Sequence, residues 1–427
     1  MKPIYISFLI LTGLVARAQQ PIPAPPQTGR LIVSGATLHI GDGKVLENAS
    51  LVFENGKIIS IGKSDTVSKA SGQVIEAIGK HVYPGLIALN TALGLTEIEA
   101  ARATNDFAEV GTVNPNVRAI VAYNTDSKIT PTVRSNGILM AQIVPQGGMM
   151  SGQSSVVKLD GWNWEDAVYE MDEGIHLNWP SMVVTGYAGA ESVDVQREKS
   201  EKQIQALNAF FKEAKAYCEM TSLEAKNLRF EAMREVFKGK RKLYVHADFA
   251  KEILSALATA KEFGFKMVIV GASDAPLVLR ELKEANVPVV LNKMHSLPSR
   301  EASDVDMPYK TPFLLQQAGI AFAISVEGFW QVRNLPFNAG TASAYGLTKE
   351  EALKAISLSP ATILGVEKTT GSLEVGKDAT FIISNGDILD MRTNKVEQAY
   401  IQGRQIQLTS IQNELYQKYL NKYNLVK

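Results

Sequence analysis

The chain is poor in the residues that most often announce chemistry. It has one cysteine, Cys218, among 427 residues. An intramolecular disulfide and a cysteine-based zinc site are therefore both excluded. It has five histidines, His39, His81, His176, His246 and His295. Neither sign of charge dominates, since Lys+Arg and Asp+Glu are both 44. Nothing in that balance draws the chain to nucleic acid or to an anionic membrane. No Gly-rich phosphate loop and no Gly-x-Ser-x-Gly elbow occurs, which argues against nucleotide binding and serine hydrolysis. Long apolar runs are also missing. The longest near the start, Ile4 to Val15, is too short for a good membrane span.

That run belongs to an expected signal peptide, residues 1–18. Lys2 supplies its positive region, and Ala16-Arg17-Ala18 the small-residue cleavage site. Cleavage after Ala18 removes Lys2 and Arg17, leaving two fewer basic than acidic residues. The expectation is an exported protein, in the periplasm of a Gram-negative bacterium, with no transmembrane segment in the mature chain. Residues 19–29 read as a proline-rich tether that packs little.

Strand signals begin at Arg30. Leu31-Ile32-Val33, Ala49 to Glu54 and Lys57 to Gly62 are strands, the last two joined at the hairpin turn Asn55-Gly56. Gln73 to Ala77 adds another, giving an antiparallel β unit over residues 30–82. A second β block spans 366–410, with strands at Asp378 to Ser384 and Lys395 to Gln402. Between them, over 83–365, strands alternate with helices as in βα units around a parallel sheet. Residues near 198–237 read as an exposed helical insertion, and 411–427 as a tail helix. From Leu243 onward four strand–helix units follow in regular order, which fits half of a (β/α)8 barrel with its site at the C-terminal strand ends. A doubly wound sheet would produce a similar pattern.

The stretch Val82-Tyr83-Pro84-Gly85-Leu86-Ile87-Ala88-Leu89-Asn90-Thr91-Ala92-Leu93-Gly94 is a Pro-Gly turn feeding a continuously apolar strand, which a barrel or doubly wound sheet buries on both faces. It resembles the first barrel strand of the amidohydrolase superfamily, Pro-Gly-Leu-Ile-Asp-Ala-His-Thr-His-Leu-Gly. Gly371-Ser372-Leu373-Glu374-Val375-Gly376-Lys377-Asp378-Ala379 resembles that superfamily's returning-strand signature, with Thr380 in place of its final Asp. The resemblance covers nearly the whole mature chain and is nearest to the imidazolonepropionase-like branch. It implies an α/β fold, a (β/α)8 TIM-like barrel with a small composite β-sandwich from both chain ends. It also implies hydrolysis of an amide, lactam or related C–N bond with one or two divalent metals.

Carried over residue by residue, the expected ligands are largely missing. The His-x-His pair falls on Asn90 and Ala92, and the strand-six histidine on Gly271. His246 keeps the strand-five histidine, and the strand-eight aspartate falls near Glu327. Two arrangements follow. In one, His246 and His295 hold a single Zn, Fe or Mn with Glu327 as the catalytic carboxylate, while Asn90 and Arg333 bind substrate; His176 is a candidate fourth member. In the other, no metal is bound, and the protein binds a small ligand or pairs with a related amidohydrolase, in a homo- or hetero-oligomer. Gln146-Gly147-Gly148 and Ser151 to Ser155 could offer backbone N–H groups to an anion. Trp162 and Trp164 could wall a ligand site, with helix capping the plainer account.

Overall fold

The computed structural model describes residues 22–67, 72–184, 186, 190–222, 225–298 and 300–425. The expected signal peptide lies outside these residues. Two sheets of eight strands carry the fold.

The first sheet opens with β1 (Leu31–His39), β2 (Val45–Glu54), β3 (Lys57–Lys63), β4 (Gln73–Glu76) and β5 (His81–Pro84). The β2–β3 hairpin pairs antiparallel as its Asn55-Gly56 turn requires. The unit is not wholly antiparallel, however. After the hairpin the chain crosses to the other edge of β1, where β4 and then β5 pair with it in parallel.

The proline-rich segment also departs from expectation. Ala24 is buried; its N–H donates to Asp160 and its carbonyl accepts from Arg404. Gln27 accepts from Gly56 N–H and donates to the Phe53 carbonyl. Backbone that cannot join a ladder is here fastened by side chains, so the segment packs.

The second sheet forms the barrel: β6 (Leu86–Thr91), β7 (Ile138–Ile143), β8 (Met150–Lys158), β9 (Val168–Asn178), β10 (Lys242–Ala247), β11 (Met267–Gly271), β12 (Val289–Leu291) and β13 (Phe322–Ile324). Seven strands run parallel, and β8 is antiparallel to both its neighbours. Only residues 144–149 separate β7 from β8. A parallel crossover needs about a dozen residues or more, so a hairpin is the available connection.

The barrel is nearly closed. No ladder joins β13 to β6; instead Ile324 N–H donates to the Ala355 carbonyl and Ile87 N–H to that of Ile356. The Ser325 hydroxyl donates to the Leu89 carbonyl across the same seam.

The chain returns to the first sheet with β14 (Phe381–Ser384), β15 (Val396–Ile401) and β16 (Arg404–Ile406). β14 pairs antiparallel with β5, so both chain ends build one sheet. Phe53 of β2 meets Phe381 of β14 with ring centroids 5.1 Å apart, and Tyr400 of β15 at 5.3 Å. Two strands lie between β2 and β14, and neighbouring strands are about 4.8 Å apart. The sheet must therefore fold over its own core, as in a sandwich.

The helical insertion is two helices, Val193–Glu219 and Leu228–Phe237. It is not simply exposed. Leu207, Phe211 and Ala214 are buried, and the Phe211 ring lies 4.9 Å from that of Phe265. Charged residues cover the outer face of this aromatic seam. The tail helix spans Ile411–Lys422 and has no buried residue. Among the described residues no helix is long and apolar enough to cross a membrane.

Candidate functional site at the barrel mouth

Asn90 follows the apolar run of β6 with φ +52°, a left-handed conformation that Asn tolerates better than most residues. Its N–H donates to Gln142 Oε1 (3.1 Å). The Gln142 amide donates to Glu173 Oε1 (2.6 Å), as does the Ser154 hydroxyl (2.5 Å). Tyr244 OH donates to Glu173 Oε2 (2.8 Å). A buried carboxyl thus has three side-chain donors inside the barrel. Burial still outweighs those bonds and holds its pKa above the usual carboxylate value.

The chain continues towards the mouth. His176 Nε2 lies 2.9 Å from Ser154 Oγ, and His176 Nδ1 lies 2.9 Å from His246 Nε2. Ser154 gives its proton to the carboxylate, so it accepts from His176 Nε2–H. His176 Nδ1 is then the acceptor for His246 Nε2–H, and the His246 Nδ1 lone pair remains for the mouth. Burial pushes His176 well below the ordinary histidine pKa, helped by His246, and takes His246 down to about 4 against the opposing pull of Asp248. Both rings are neutral at pH 7.

The strands explain this assembly. Tyr244 and His246 are two apart in β10 and share the face turned into the barrel. The Tyr244 ring stacks on His176 with centroids 4.8 Å apart. Gly174 makes room for it, since a Cβ there would stand 2.3 Å from the Tyr244 ring.

The other ligand positions are occupied differently. Ala92 is buried in an apolar cluster with Leu95 and Ala119, against Phe107 and Phe329. Gly271 has φ +99°, and a Cβ there would stand 2.7 Å from Asp248 Oδ1. That carboxylate accepts from the Ser273 hydroxyl (2.8 Å) and from Lys293 Nζ (2.7 Å). An Asp–Lys ion pair therefore fills the space into which a strand-six side chain would extend.

Of the residues singled out in the sequence, the structure joins His176 to His246 and keeps the rest apart. His295 Nε2 lies 2.7 Å from Thr341 Oγ1, on the helix Leu335–Ala344. Glu327 is exposed, its N–H on the Asn292 carbonyl and its charge felt by Lys293. Arg333 donates to the Trp330 carbonyl (2.6 Å) and stacks over that ring at 5.1 Å. Among the described residues, no three His, Cys, Asp or Glu side chains stand close enough together to hold a metal ion.

Much of the backbone of the glycine-rich loop is already engaged. The N–H groups of Gln146, Met149, Met150 and Gln153 all donate to carbonyls of Phe107, Thr112 and Val117. Asn163 caps the short helix Trp164–Ala167, the plainer of the two accounts, and Trp162 is exposed.

Gln142, Ser154, Glu173, Asp248 and Lys293 escape a motif-based reading. One signal was available for Gln142, a polar residue inside a strand that is otherwise apolar and fully buried; Ser154 and Glu173 lie in strands that carry several other polar residues.

These features define an α/β barrel whose polar groups converge at one strand-end mouth. A family model described as "Amidohydrolase family" matches residues 142–406, and the chain belongs to that family. An imidazolonepropionase from Rhizobium rhizogenes is 22% identical over 384 residues, covering 81% of this chain and 88% of that protein. The amidohydrolase tasK of Hapsidospora irregularis is 30% identical over 138 residues, but the match spans only 28% of this chain and 13% of that protein. Among solved structures, an amidohydrolase from Thermotoga maritima superposes with a TM-score of 0.77 at 23% identity, covering 88% of this chain and 99% of that one.

Proposed function

We propose that this family member works as a metal-free barrel that binds a small molecule at its mouth, rather than hydrolysing a C–N bond at a mononuclear metal site. The observation that carries the reading is the separation of the candidate ligands: His246 keeps a lone pair on Nδ1, but among the described residues no three His, Cys, Asp or Glu side chains stand together to hold an ion. The remaining donors do not fit a catalytic metal, which normally takes three protein ligands and an open position. Ala92 and Gly271 have no ligating side chain, and His295 is bound to Thr341. The inward-facing polar groups satisfy one another, as a stable buried network must. We also infer export to the periplasm, on the leader-like residues 1–18.

Metal analysis of the mature chain purified without chelators tests the reading. Metal well below one ion per chain, with a melting temperature unmoved by EDTA, is the expected result. About one Zn, Fe or Mn per chain, lost in His246→Ala, would overturn it.

A further inference from the structure

A narrow pocket opens beside the ends of β11 and β12 and the start of the helix Met307–Ala318. Its walls are apolar at Leu291, Met294, Met307 and Pro308, and Lys293 is the one charged residue lining it among the described residues. Gly271, Ser273 and Lys293 all line the pocket, and all three approach the Asp248 carboxylate. The ammonium is therefore held at the strand-end floor rather than left to wander on its stem. Asp248 accepts one of its three N–H donors, and two remain for a ligand.

We infer that this pocket takes a small monocarboxylate with an apolar body, its carboxylate on Lys293 Nζ and its body against Leu291, Met294 and Met307. The inference rests on the metal-free reading and names the ligand class for it. Beside these apolar walls, which also carry the hydroxyls of Ser273, Ser296, Ser303 and Thr311, a fixed ammonium favours an anionic oxygen over a neutral one, because the bond is charge-assisted. Asp248 already offsets much of the ammonium's field, and the charge of Glu327 acts on it too. A dianion such as phosphate is therefore poorly matched, and a primary amine would meet a like charge.

Calorimetric titration and thermal shift of the mature chain with hexanoate, hexanol, hexylamine and inorganic phosphate test this. Hexanoate is expected to bind saturably, hexanol about tenfold or more weaker, and the amine and phosphate not at all. Lys293→Met keeps the apolar stem. It should reduce hexanoate to the level of hexanol while the unliganded melting temperature stays near wild type. Equal binding of hexanol or hexylamine, tighter binding of phosphate, no binding of any probe, or a carboxylate preference that survives Lys293→Met would each overturn the inference. With metal content low, those outcomes leave the metal-free reading standing. Stoichiometric metal, with hexanoate binding abolished by EDTA and untouched by Lys293→Met, overturns both.

Discussion

His176 Nδ1 and His246 Nε2 share one proton across 2.9 Å. The pair joins the barrel mouth to the carboxyl at its centre. Because Ser154 hands its own proton to Glu173, the direction of every hydrogen bond in the chain is set from the buried end. Protonating His176 at Nδ1 would put two donors face to face, while His246 would take its proton at Nδ1 on the mouth side, where burial opposes the charge.

Stability should therefore fall as the pH drops from about 6.5 to about 4. In that window the unfolded chain binds protons at these histidines and the folded chain does not, so folding loses free energy as pH falls. For His246, lowered from 6.5 to about 4, the effect is on the order of 3 kcal/mol. Glu173 works in the opposite sense. Its raised pKa contributes stability that is present below its usual 4.5 and lost as pH rises through the folded-state value. Urea unfolding between pH 4 and 7 should show the acid limb flattened in His246→Leu and steepened in Glu173→Gln. An unchanged limb in both variants would contradict the assigned protonation states.

Gly174→Ala should destabilise the barrel by about 1–3 kcal/mol, the usual range for overpacking a filled core. The new methyl would meet Tyr244 Cε2 at 2.3 Å and push the phenol off Glu173. Chemical denaturation provides the measurement. A cost near zero would mean that the ring can move and that its bond to Glu173 is dispensable.

Gly271→His restores the family's residue type at that position but should not create a metal site. Its Cβ would stand 2.7 Å from Asp248 Oδ1, at a φ of +99° that costs a non-glycine residue about 1–3 kcal/mol. Metal content should stay unchanged while the melting temperature falls. Acquisition of stoichiometric zinc by this single change would show that Asp248 yields readily.

Glu327→Gln should leave stability within about 0.5 kcal/mol of wild type, as for exposed side chains away from buried networks. The side chain is exposed, and the hydrogen bond at this residue is made by its backbone N–H. A large drop in melting temperature would assign it a structural role that its surroundings do not show.

The architecture was legible because it is written in local terms. The Pro84-Gly85 turn, the apolar run of β6 and the regular strand–helix spacing after Leu243 each follow from short-range sequence. The loss of side-chain ligands at Ala92 and Gly271 is equally a property of single positions. The reversal of β8 is a departure from the expected parallel βα pattern, and it follows from the observed six-residue connection, which cannot make a crossover.

What only the tertiary structure decided was which strand-end residues meet. Sequence places His246, His295 and Glu327 at the same height on the barrel, but says nothing of their angle around it or of how far each loop reaches. His295 was drawn to Thr341, Glu327 to solvent, and His246 to a histidine 70 residues away. Ser154 and Tyr244 reach Glu173 from 19 and 71 residues away. Such partners carry no shared motif; burial selects them, because a carboxyl inside a barrel must find donors wherever the sheet supplies them.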